Sequence, residues 1–341
     1  MGKTSVLFAS VLVASSSELE SLRKTRDIPV KLGSLFSGIG GLELGMERSG
    51  FEVAWQAECD KQARSVLAKH WPDVYRYKDV CDVRNAEPVD VICGGFPCQD
   101  YSIAGDRDGL AGDRGALWWE MHRIITDQRP TWVVAENVPG MLSSRGGRDF
   151  LEIVRSLVQL RYGVTWATLD SQYFGVPQRR RRLFIIGHSG GVPRPEILAI
   201  GQGLQGDFKE GQRKKLQNAL LSSKSPSFSS EKRVDINTDP IAFHPKQNPI
   251  SGKLSPCMGT KGPMGVYVTV PRVFTPVESE RLQSFPDNWT KYDKNGAVIS
   301  DTDRWKFLGN AVTVNVAEWI GRQIIDETPT EPQGDIDNDD R

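Results

Sequence analysis

Cys98 is the residue of this chain best suited to nucleophilic chemistry. It stands in the stretch 94–99, Gly-Gly-Phe-Pro-Cys-Gln, directly after the apolar run 89–93. A β-branched run followed by two glycines and a proline predicts a buried strand that ends at the glycines. In open α/β sheets, ligands bind at the carboxyl ends of the strands. Free cysteines are more often buried and inert, but the polar residues after Cys98 are atypical of a core and favour a nucleophile.

Glu136 is the second candidate for a role in catalysis. It directly follows the apolar run 132–135, which predicts the strand next to that of Cys98. A buried carboxyl group beside a thiolate can stay protonated and activate a heteroaromatic ring. The pair therefore indicates attack of a thiol on such a ring.

A run of arginines leads directly into the apolar strand 183–186. Alternate residues of a strand share a face, so Arg180 and Arg182 are predicted to point towards the site. Arg179 and Arg181 are then predicted to face away. A solvated basic edge is the alternative interpretation, but it does not explain why the run lies at the start of an apolar strand.

A glycine-rich turn follows the first predicted strand, where Gly38, Gly40 and Gly41 allow a nucleotide-like ligand to approach the backbone. By itself this turn fits a dinucleotide-dependent dehydrogenase almost as well. Glu58, after the next predicted strand, is placed to accept hydrogen bonds from ribose hydroxyls, and Asp79, after the third, from an adenine amino group. Each carboxylate alone is as well explained as a solvated side chain. The three features in order favour an adenosine-containing cofactor.

Strand and helix patterns alternate from residue 31 onwards, which predicts parallel βαβ units in an α/β sheet with helices on both faces. Strands are predicted at 32–36, at 53–57, in a short third segment before Asp79, and at 89–93, 132–135, 164–169 and 183–186. Helices are predicted up to 47 and at 117–125, 150–157 and 311–325. Between residues 187 and 271 the pattern gives way to Gly, Pro, Ser and basic residues. A second, structurally different module is therefore predicted there.

Charge and cysteine content narrow the class of protein. The 341 residues carry 43 Lys and Arg and 43 Asp and Glu, so no overall basic charge indicates a nucleic-acid partner. Residues 178–233, however, hold twelve basic and four acidic side chains. The five cysteines are odd in number and include no Cys-x-x-Cys pair, which argues against a disulfide framework or a zinc site and suits a reducing cytosol. The acidic segment 326–341 is predicted to be disordered.

The apolar run 6–14 near the start of the chain allows two interpretations. With Lys3 before it and serines after it, the run resembles a secretory signal. It is too short to span a membrane, and a reactive unpaired thiol would be oxidised in a secreted protein. Residues 1–29 are therefore interpreted as a poorly ordered extension or as the result of an upstream start.

Taken together, these residues resemble the DNA (cytosine-5)-methyltransferases of bacteria and phages. The family's signatures are found in the family's order at 35–41, 95–99, 112–117, 136–138, 178–182, 281–287 and 309–312. Two positions depart from the family pattern. Ser34 stands where Asp is usual, and Lys253 with Leu254 stands where a Thr-Leu pair is common in the recognition module. The second departure leaves base readout in that module open.

The resemblance implies S-adenosyl-L-methionine as the cofactor, a Rossmann-like S-adenosylmethionine-dependent methyltransferase sheet, and no metal. The residues that it implies for cofactor binding are Phe36, Ser37, Gly38, Gly40, Gly41, Glu58, Cys59, Asp79, Val80, Pro97, Asn310 and Val312. The implied catalytic residues are Cys98, Glu136, Arg180 and Arg182, and the residues expected to contact DNA are Gln99, Ser102, Arg179 and Arg181.

In the implied reaction, Cys98 adds to C6 of a cytosine that has been flipped out of duplex DNA, which makes C5 nucleophilic. Glu136 contacts N3 and the exocyclic amine and stabilises the charge that develops on addition. Arg182, with help from Arg180, orients the base. C5 then takes the methyl group, a base removes the C5 proton, and Cys98 leaves.

The resemblance also implies a domain organisation. A catalytic, S-adenosylmethionine-binding domain is expected at 30–187 and a smaller, irregular target-recognition domain at 188–271. Residues 272–307 are expected near the hinge between the modules, and 308–325 as a helix that returns to the catalytic domain. Basic side chains of the recognition domain would contact phosphates, and others would read base edges. We expect a cytoplasmic monomer that acts on duplex DNA and not at a membrane, with a cognate restriction endonuclease as an optional partner.

Three other functions compete with this interpretation. A nicotinamide oxidoreductase explains the glycine turn but leaves Cys98 and the arginines without a role. A tRNA cytosine methyltransferase of the same family shares nearly every motif, but the size and basic character of the recognition module favour DNA. A catalytically silent DNA-binding relative would be expected to lack Cys98, Glu136 or Arg182, and all three are present.

Overall fold

A seven-stranded mixed β-sheet forms the framework of the protein in a computed structural model, which describes residues 29–97, 116–198, 241–243, 265–267 and 271–327. In chain order the strands are β1 (Val30–Leu35), β2 (Phe51–Ala57), β3 (Tyr75–Tyr77), β4 (Val91–Gly95), β5 (Trp132–Asn137), β6 (Gly163–Asp170) and β7 (Arg181–His188). Across the sheet they follow the order β3-β2-β1-β4-β5-β7-β6. The direction of winding reverses between β1 and β4, which is where ligands bind in open α/β sheets.

Helices cover both faces of the sheet, as predicted. They are α1 (Gly41–Arg48), α2 (Lys61–His70), α3 (Ala116–Gln128), α4 (Arg148–Gln159), α5 (Pro276–Leu282), α6 (Asp301–Asn310) and α7 (Val314–Glu327). Successive strand residues enter opposite cores. In β5, Trp132 and Val134 belong to the core that contains α1, α2 and α7, whereas Val133 and Ala135 belong to the core that contains α3 and α4. This is the two-residue period of a strand buried on both faces.

The last strands of the sheet depart from the predicted parallel arrangement. Strand β7 runs antiparallel to both β5 and β6, while the pairs among β1, β2, β3, β4 and β5 are parallel. The segment 171–180 between β6 and β7 contains only the short 3₁₀ turn Ser171–Tyr173. A parallel connection needs a crossover of a dozen or more residues, so this short link makes the two strands antiparallel.

Strand β4 extends further than its sequence suggests. It was predicted to end before Gly94 and Gly95, but both glycines pair within the sheet, Gly94 with Leu35 and Gly95 with Glu136. Their lack of side chains serves close packing here and does not end the strand. A Cβ atom at Gly95 would lie 2.8 Å from Oε2 of Glu136.

The predicted helix 311–325 is interrupted at its start. Helix α6 ends at Asn310, Ala311 is extended (φ −63°, ψ 152°), and α7 begins only at Val314. The backbone N–H of Val314 donates to the carbonyl of Gln283 at 3.0 Å. A tertiary contact therefore replaces a bond within the helix, which periodicity alone does not show.

The segment predicted as a recognition domain contains a second sheet. Strands β8 (Ile241–Phe243), β9 (Gly265–Tyr267) and β10 (Pro271–Val273) form three antiparallel strands. Before them, Ile197 and Leu198 are buried in the core that contains α1 and α7. That core thus extends beyond the predicted boundary at 187, and the domain limits stay predictions.

Only short parts of the two ends of the chain lie within the described residues. Of the predicted N-terminal extension only residue 29 is described, and of the predicted acidic tail only residues 326–327. Among the described helices, none combines the length and apolar character that crossing a bilayer requires.

Candidate active site

The glycine turn leaves β1 through an unusual backbone conformation. Phe36 has a φ of 53°, which is uncommon for a residue with a bulky side chain. The N–H of Ser37 donates to the carbonyl of Ala57 at the end of β2 (3.0 Å) and ties the turn to the neighbouring strand. Gly38 has a φ of 57°, and a Cβ there would meet no atom within 4 Å. Its backbone therefore faces open space, as a ligand cradle requires.

Glu58 holds this turn in place from the end of β2. Its Oε2 accepts the N–H of Gly38 at 2.7 Å, and its Oε1 accepts the N–H of Asp60 at 2.7 Å. Arg64 of α2 donates to the backbone carbonyls of Glu58 and Cys59 at 2.7 and 2.6 Å. A carboxylate oxygen can accept more than one hydrogen bond, so Glu58 retains acceptor capacity for hydroxyl groups while it orders the turn.

Asp79 and Val80 lie after β3, in the order predicted for an adenine-binding segment. The Asp79 side chain accepts the N–H of Cys81 at 2.9 Å and caps the 3₁₀ turn Val80–Asp82. Asp79 is exposed, whereas Val80 is buried against the core that contains α3. The segment thus combines an accessible acceptor with an apolar surface.

The break between α6 and α7 lies against the glycine turn. A Cβ at Gly41 would be 2.6 Å from the carbonyl oxygen of Val312, so the two backbones are in close contact. Asn310 beside it is exposed. The structure therefore brings the predicted cofactor residues of the C-terminal segment to those at the end of β1.

Arg180 supports this break from the other side. Its side chain is buried, and Nη2 donates to the carbonyls of Gly309 at 3.0 Å and Ala311 at 2.7 Å. These are the neighbours of Asn310 on each side. Arg180 therefore holds the break between α6 and α7, which is predicted to close the cofactor site, and the sequence did not indicate this contact.

Glu136 and Arg182 form an ion pair at the predicted base-binding edge. Nε of Arg182 lies 2.9 Å from Oε1 of Glu136, and both side chains are largely buried. Burial raises the pKa of Glu136, and the nearby charges of Arg182 and Arg180 oppose that rise. Gly95 on the adjacent strand leaves room for the carboxyl group.

The alternation predicted for the arginine run is confirmed. Arg180 is buried and Arg182 is mostly buried, whereas Arg179 and Arg181 are exposed. Their two-residue period places one pair inside and leaves the other available at the surface.

Asn137 connects this edge to the strand that leads to the predicted nucleophile. Its Nδ2 donates to the carbonyl of Phe96 at 3.1 Å, and its Oδ1 accepts the N–H of Val138 at 2.8 Å. Phe96 is buried against Trp118, with 5.3 Å between ring centroids. The chain is thereby fixed up to Pro97. Cys98, Gln99 and Ser102 lie outside the described residues.

A family comparison accounts for this arrangement. The family model of C-5 cytosine-specific DNA methylases matches residues 30–256 and 246–326. The chain belongs to this family. This methylase accordingly acts on C5 of cytosine in DNA, which agrees with the function expected from the sequence and not with the oxidoreductase or tRNA alternatives.

Curated relatives are similar over nearly the whole chain. Type II methyltransferase M2.BsuMI of Bacillus subtilis is 31% identical over 327 residues, which cover 90% of this methylase and 77% of that protein. Type II methyltransferase M.FnuDI of Fusobacterium nucleatum is 32% identical over 333 residues, which cover 86% of this methylase and 94% of that protein.

Solved structures support the fold. The methyltransferase EhMeth of Entamoeba histolytica has a TM-score of 0.61 at 17% identity, covering 89% of this methylase and 100% of that chain. A mutant of DNMT2 from Spodoptera frugiperda has a TM-score of 0.56 at 17% identity, covering 87% and 99%. The expected S-adenosylmethionine-dependent methyltransferase fold is therefore confirmed.

Sequence reasoning missed Glu43 of this methylase. Its side chain is fully buried on α1 beneath the glycine turn, where the hydroxyls of Ser34 and Ser37 and the buried thiol of Cys93 surround it. Burial raises the pKa of Glu43 to about 7, while the two hydroxyls favour its charged form. The signal that could have found Glu43 is its place directly after Leu42 in a short helix that packs on the sheet, where both residues are buried.

Proposed function

We propose that this methylase transfers a methyl group to C5 of cytosine within a specific duplex DNA sequence through covalent addition of Cys98 to C6. The observation that carries the proposal is the buried pair of Glu136, at the carboxyl end of β5, and Arg182, at the start of β7. Phe96, which Asn137 holds, lies two residues before Cys98 at the same edge. A flipped cytosine entering there meets an acid and an arginine that are already ordered.

Glu136 supplies the group that contacts N3 and the exocyclic amine. Burial raises its pKa and so assists protonation, and a protonated carboxyl can donate to N3 as the thiolate adds to C6. Arg182 fixes the orientation of that carboxyl group by pairing with it. The bond from Cys98 to C6 places electron density on C5, and after methylation the loss of the C5 proton allows the thiolate to leave.

S-adenosylmethionine supplies the methyl group when it is bound. The residues present fit such a cofactor, because the backbone at Gly38 is open and the Glu58 carboxylate lies beside it. We assign Glu58 to the ribose and Asp79 with Val80 to the adenine. Asn310 and Val312 close the site, and the other residues assigned to it are Phe36, Ser37, Gly40, Gly41, Cys59 and Pro97.

The relatives, which are named Type II methyltransferases, support a proposal for the wider role. We assign this methylase to a restriction-modification system in the cytoplasm, as a monomer that does not require a cognate endonuclease. Residues 188–271 recognise the target sequence, while Gln99, Ser102, Arg179 and Arg181 contact the DNA.

Radiolabelled methyl transfer tests this function. The purified chain is incubated with labelled S-adenosylmethionine and either mixed-sequence duplex DNA or total tRNA, and bisulfite sequencing then locates the modified cytosines. Incorporation into duplex DNA at one recurring sequence is expected. Incorporation into tRNA alone, or into DNA without sequence preference, contradicts the proposal.

A further inference from the structure

Arg123 of α3 connects that helix to the segment assigned to adenine. Its Nη1 donates to the carbonyl of Val83 at 3.1 Å, and its Nη2 donates to the carbonyl of Val80 at 3.4 Å. These carbonyls belong to the start and the end of the 3₁₀ turn that follows Asp79. One guanidinium group therefore spans the whole turn.

Two carboxylates of the same helix hold the Arg123 side chain in this orientation. Nε donates to Glu120 at 2.9 Å, and Nη1 lies 3.3 Å from Asp127. These residues are spaced by three and four positions and lie next to Arg123 along the helix surface. The planar guanidinium has five N–H donors in a fixed geometry, so it can bind its own helix and the turn together.

Other hydrogen bonds of this turn are local, and the Asp79 side chain accepts the N–H of Cys81 at 2.9 Å. Within it, Asp82 donates to the carbonyl of Asp79 at 3.1 Å, and Val83 to that of Val80 at 3.2 Å. The carbonyl of Val80 therefore accepts a second hydrogen bond from Arg123, and the carbonyl of Val83, just after the turn, accepts one from the same side chain. Helix α3 supplies the donor, and it also supplies an apolar face, because Val80 and Val83 share a core with Met121.

We propose that Arg123 is a positioning residue for cofactor recognition, which sets the discrimination of this methylase for adenine by fixing the Asp79–Val83 turn. The proposal rests on the assignment of Asp79 and Val80 to the adenine under the proposed function. Arg123 acts through the turn and touches neither the cofactor nor the cytosine.

Paired ligands that differ only at position 6 of the purine test this role. Binding of S-adenosylhomocysteine and S-inosylhomocysteine to the full chain is measured by calorimetry, and the ratio of the two Kd values reports recognition of the 6-amino group. Arg123→Ala should weaken S-adenosylhomocysteine binding about fivefold to tenfold and bring the ratio close to one. Arg123→Lys keeps the charge and some of the N–H donors, so its ratio of Kd values should lie between those of wild type and Arg123→Ala.

Arg129→Ala is the matched control. Arg129 lies just after the same helix, and its Nη1 donates to the carbonyl of Leu160 at 3.0 Å, away from the turn. This variant loses a bond of the same kind and should keep the wild-type ratio. At saturating cofactor, kcat and the KM for DNA should stay unchanged in Arg123→Lys, because the chemistry at the base is untouched.

Asp79→Ala distinguishes a failure of the adenine assignment from a failure of the role proposed for Arg123. If Asp79→Ala abolishes the discrimination but both Arg123 variants keep it, the role of Arg123 is overturned while the adenine site stands. If none of these variants changes the ratio, the assignment of the turn to adenine fails, and the role of Arg123 fails with it. A thermal shift in Arg123→Ala with an unchanged ratio indicates a merely structural contact and also overturns the proposal.

Discussion

Two regions along the carboxyl edge of the sheet use carboxyl groups in opposite ways. After their proposed roles we call the region around Glu58 the cofactor rim and the region around Glu136 the base rim. At the ends of β1 and β2, Glu58 orders the glycine turn through two backbone N–H groups and stays accessible. At the ends of β4 and β5, Glu136 is buried and is paired with Arg182. Backbone contacts and an accessible carboxylate suit a cofactor that must bind and then leave after giving up its methyl group, whereas a buried ion pair suits the charge that develops on a base.

Glu43 sharpens the contrast between the two rims. It is as deeply buried as Glu136, but among the residues that the structure describes no cation pairs with it. Its pKa accordingly rises to about 7. The glycine turn therefore lies over a carboxyl group whose pKa burial raises, whereas the carboxyl group of Glu136 is oriented by an arginine.

The largest effect is expected at the base rim. Glu136→Gln keeps the shape of the side chain but removes its acidic proton, so kcat should fall by about 10²–10³-fold, as for loss of one transition-state contact. Cofactor affinity should stay within about twofold of wild type, since Glu136 lies on the other rim. Single-turnover methylation and calorimetry measure the two quantities. Equal losses of kcat and of cofactor affinity in Glu136→Gln would show that Glu136 also affects cofactor binding.

A smaller effect on stability is expected for Glu43→Gln. With a raised pKa in the folded state, the unfolded chain ionises first as pH rises. The contribution of Glu43 to the free energy of unfolding therefore falls between about pH 4.5 and pH 7. The amide stays neutral, so the variant should be more stable than wild type at pH 8 by roughly 2–3 kcal/mol, and the two should converge near pH 4.

Urea denaturation across this pH range measures the difference. Glu52→Gln, at an exposed position of β2, provides the control and should follow the wild-type curve. Parallel curves for Glu43→Gln and wild type would mean that Glu43 is ionised in the folded protein.

The smallest effect is expected for Glu58→Ala, which should weaken S-adenosylmethionine binding by roughly 1–3 kcal/mol because it removes a charged acceptor from ribose hydroxyls. Glu58→Gln retains one acceptor oxygen and should lose less. The value of kcat at saturating cofactor should change little, opposite to Glu136→Gln. Calorimetry that shows unchanged affinity in Glu58→Ala would remove Glu58 from the ribose site.

Much of the base rim could be predicted from the sequence, because it depends on local periods. The two-residue period of a strand placed Arg180 and Arg182 inside and their neighbours outside, and the apolar run before Glu136 placed that residue at a strand end. Such patterns describe short segments whose geometry does not depend on distant contacts.

Other features depend on tertiary contacts that no local pattern shows. Gly95 was predicted to end β4 because glycine usually interrupts strands, but it is needed where Glu136 packs. Glu43 is a charged residue in a helix, a type that is usually solvated. Arg123, with acidic residues three before and four after it, has the pattern of an exposed ion pair, and only the fold brings the carbonyl of Val80 to it.

Covalent trapping of the target DNA tests whether Cys98 adds to C6 of the cytosine. Fluorine at C5 leaves no proton to remove after methyl transfer, so elimination of the thiol is blocked. Duplex DNA with 5-fluorocytosine at the target site should therefore become attached to Cys98, as peptide mapping would show, and only when S-adenosylmethionine is present. Cys98→Ser should form no adduct, because a serine hydroxyl is barely ionised near neutral pH. Attachment through Cys59, Cys81, Cys93 or Cys257, or full methylation by the serine variant, would contradict the account.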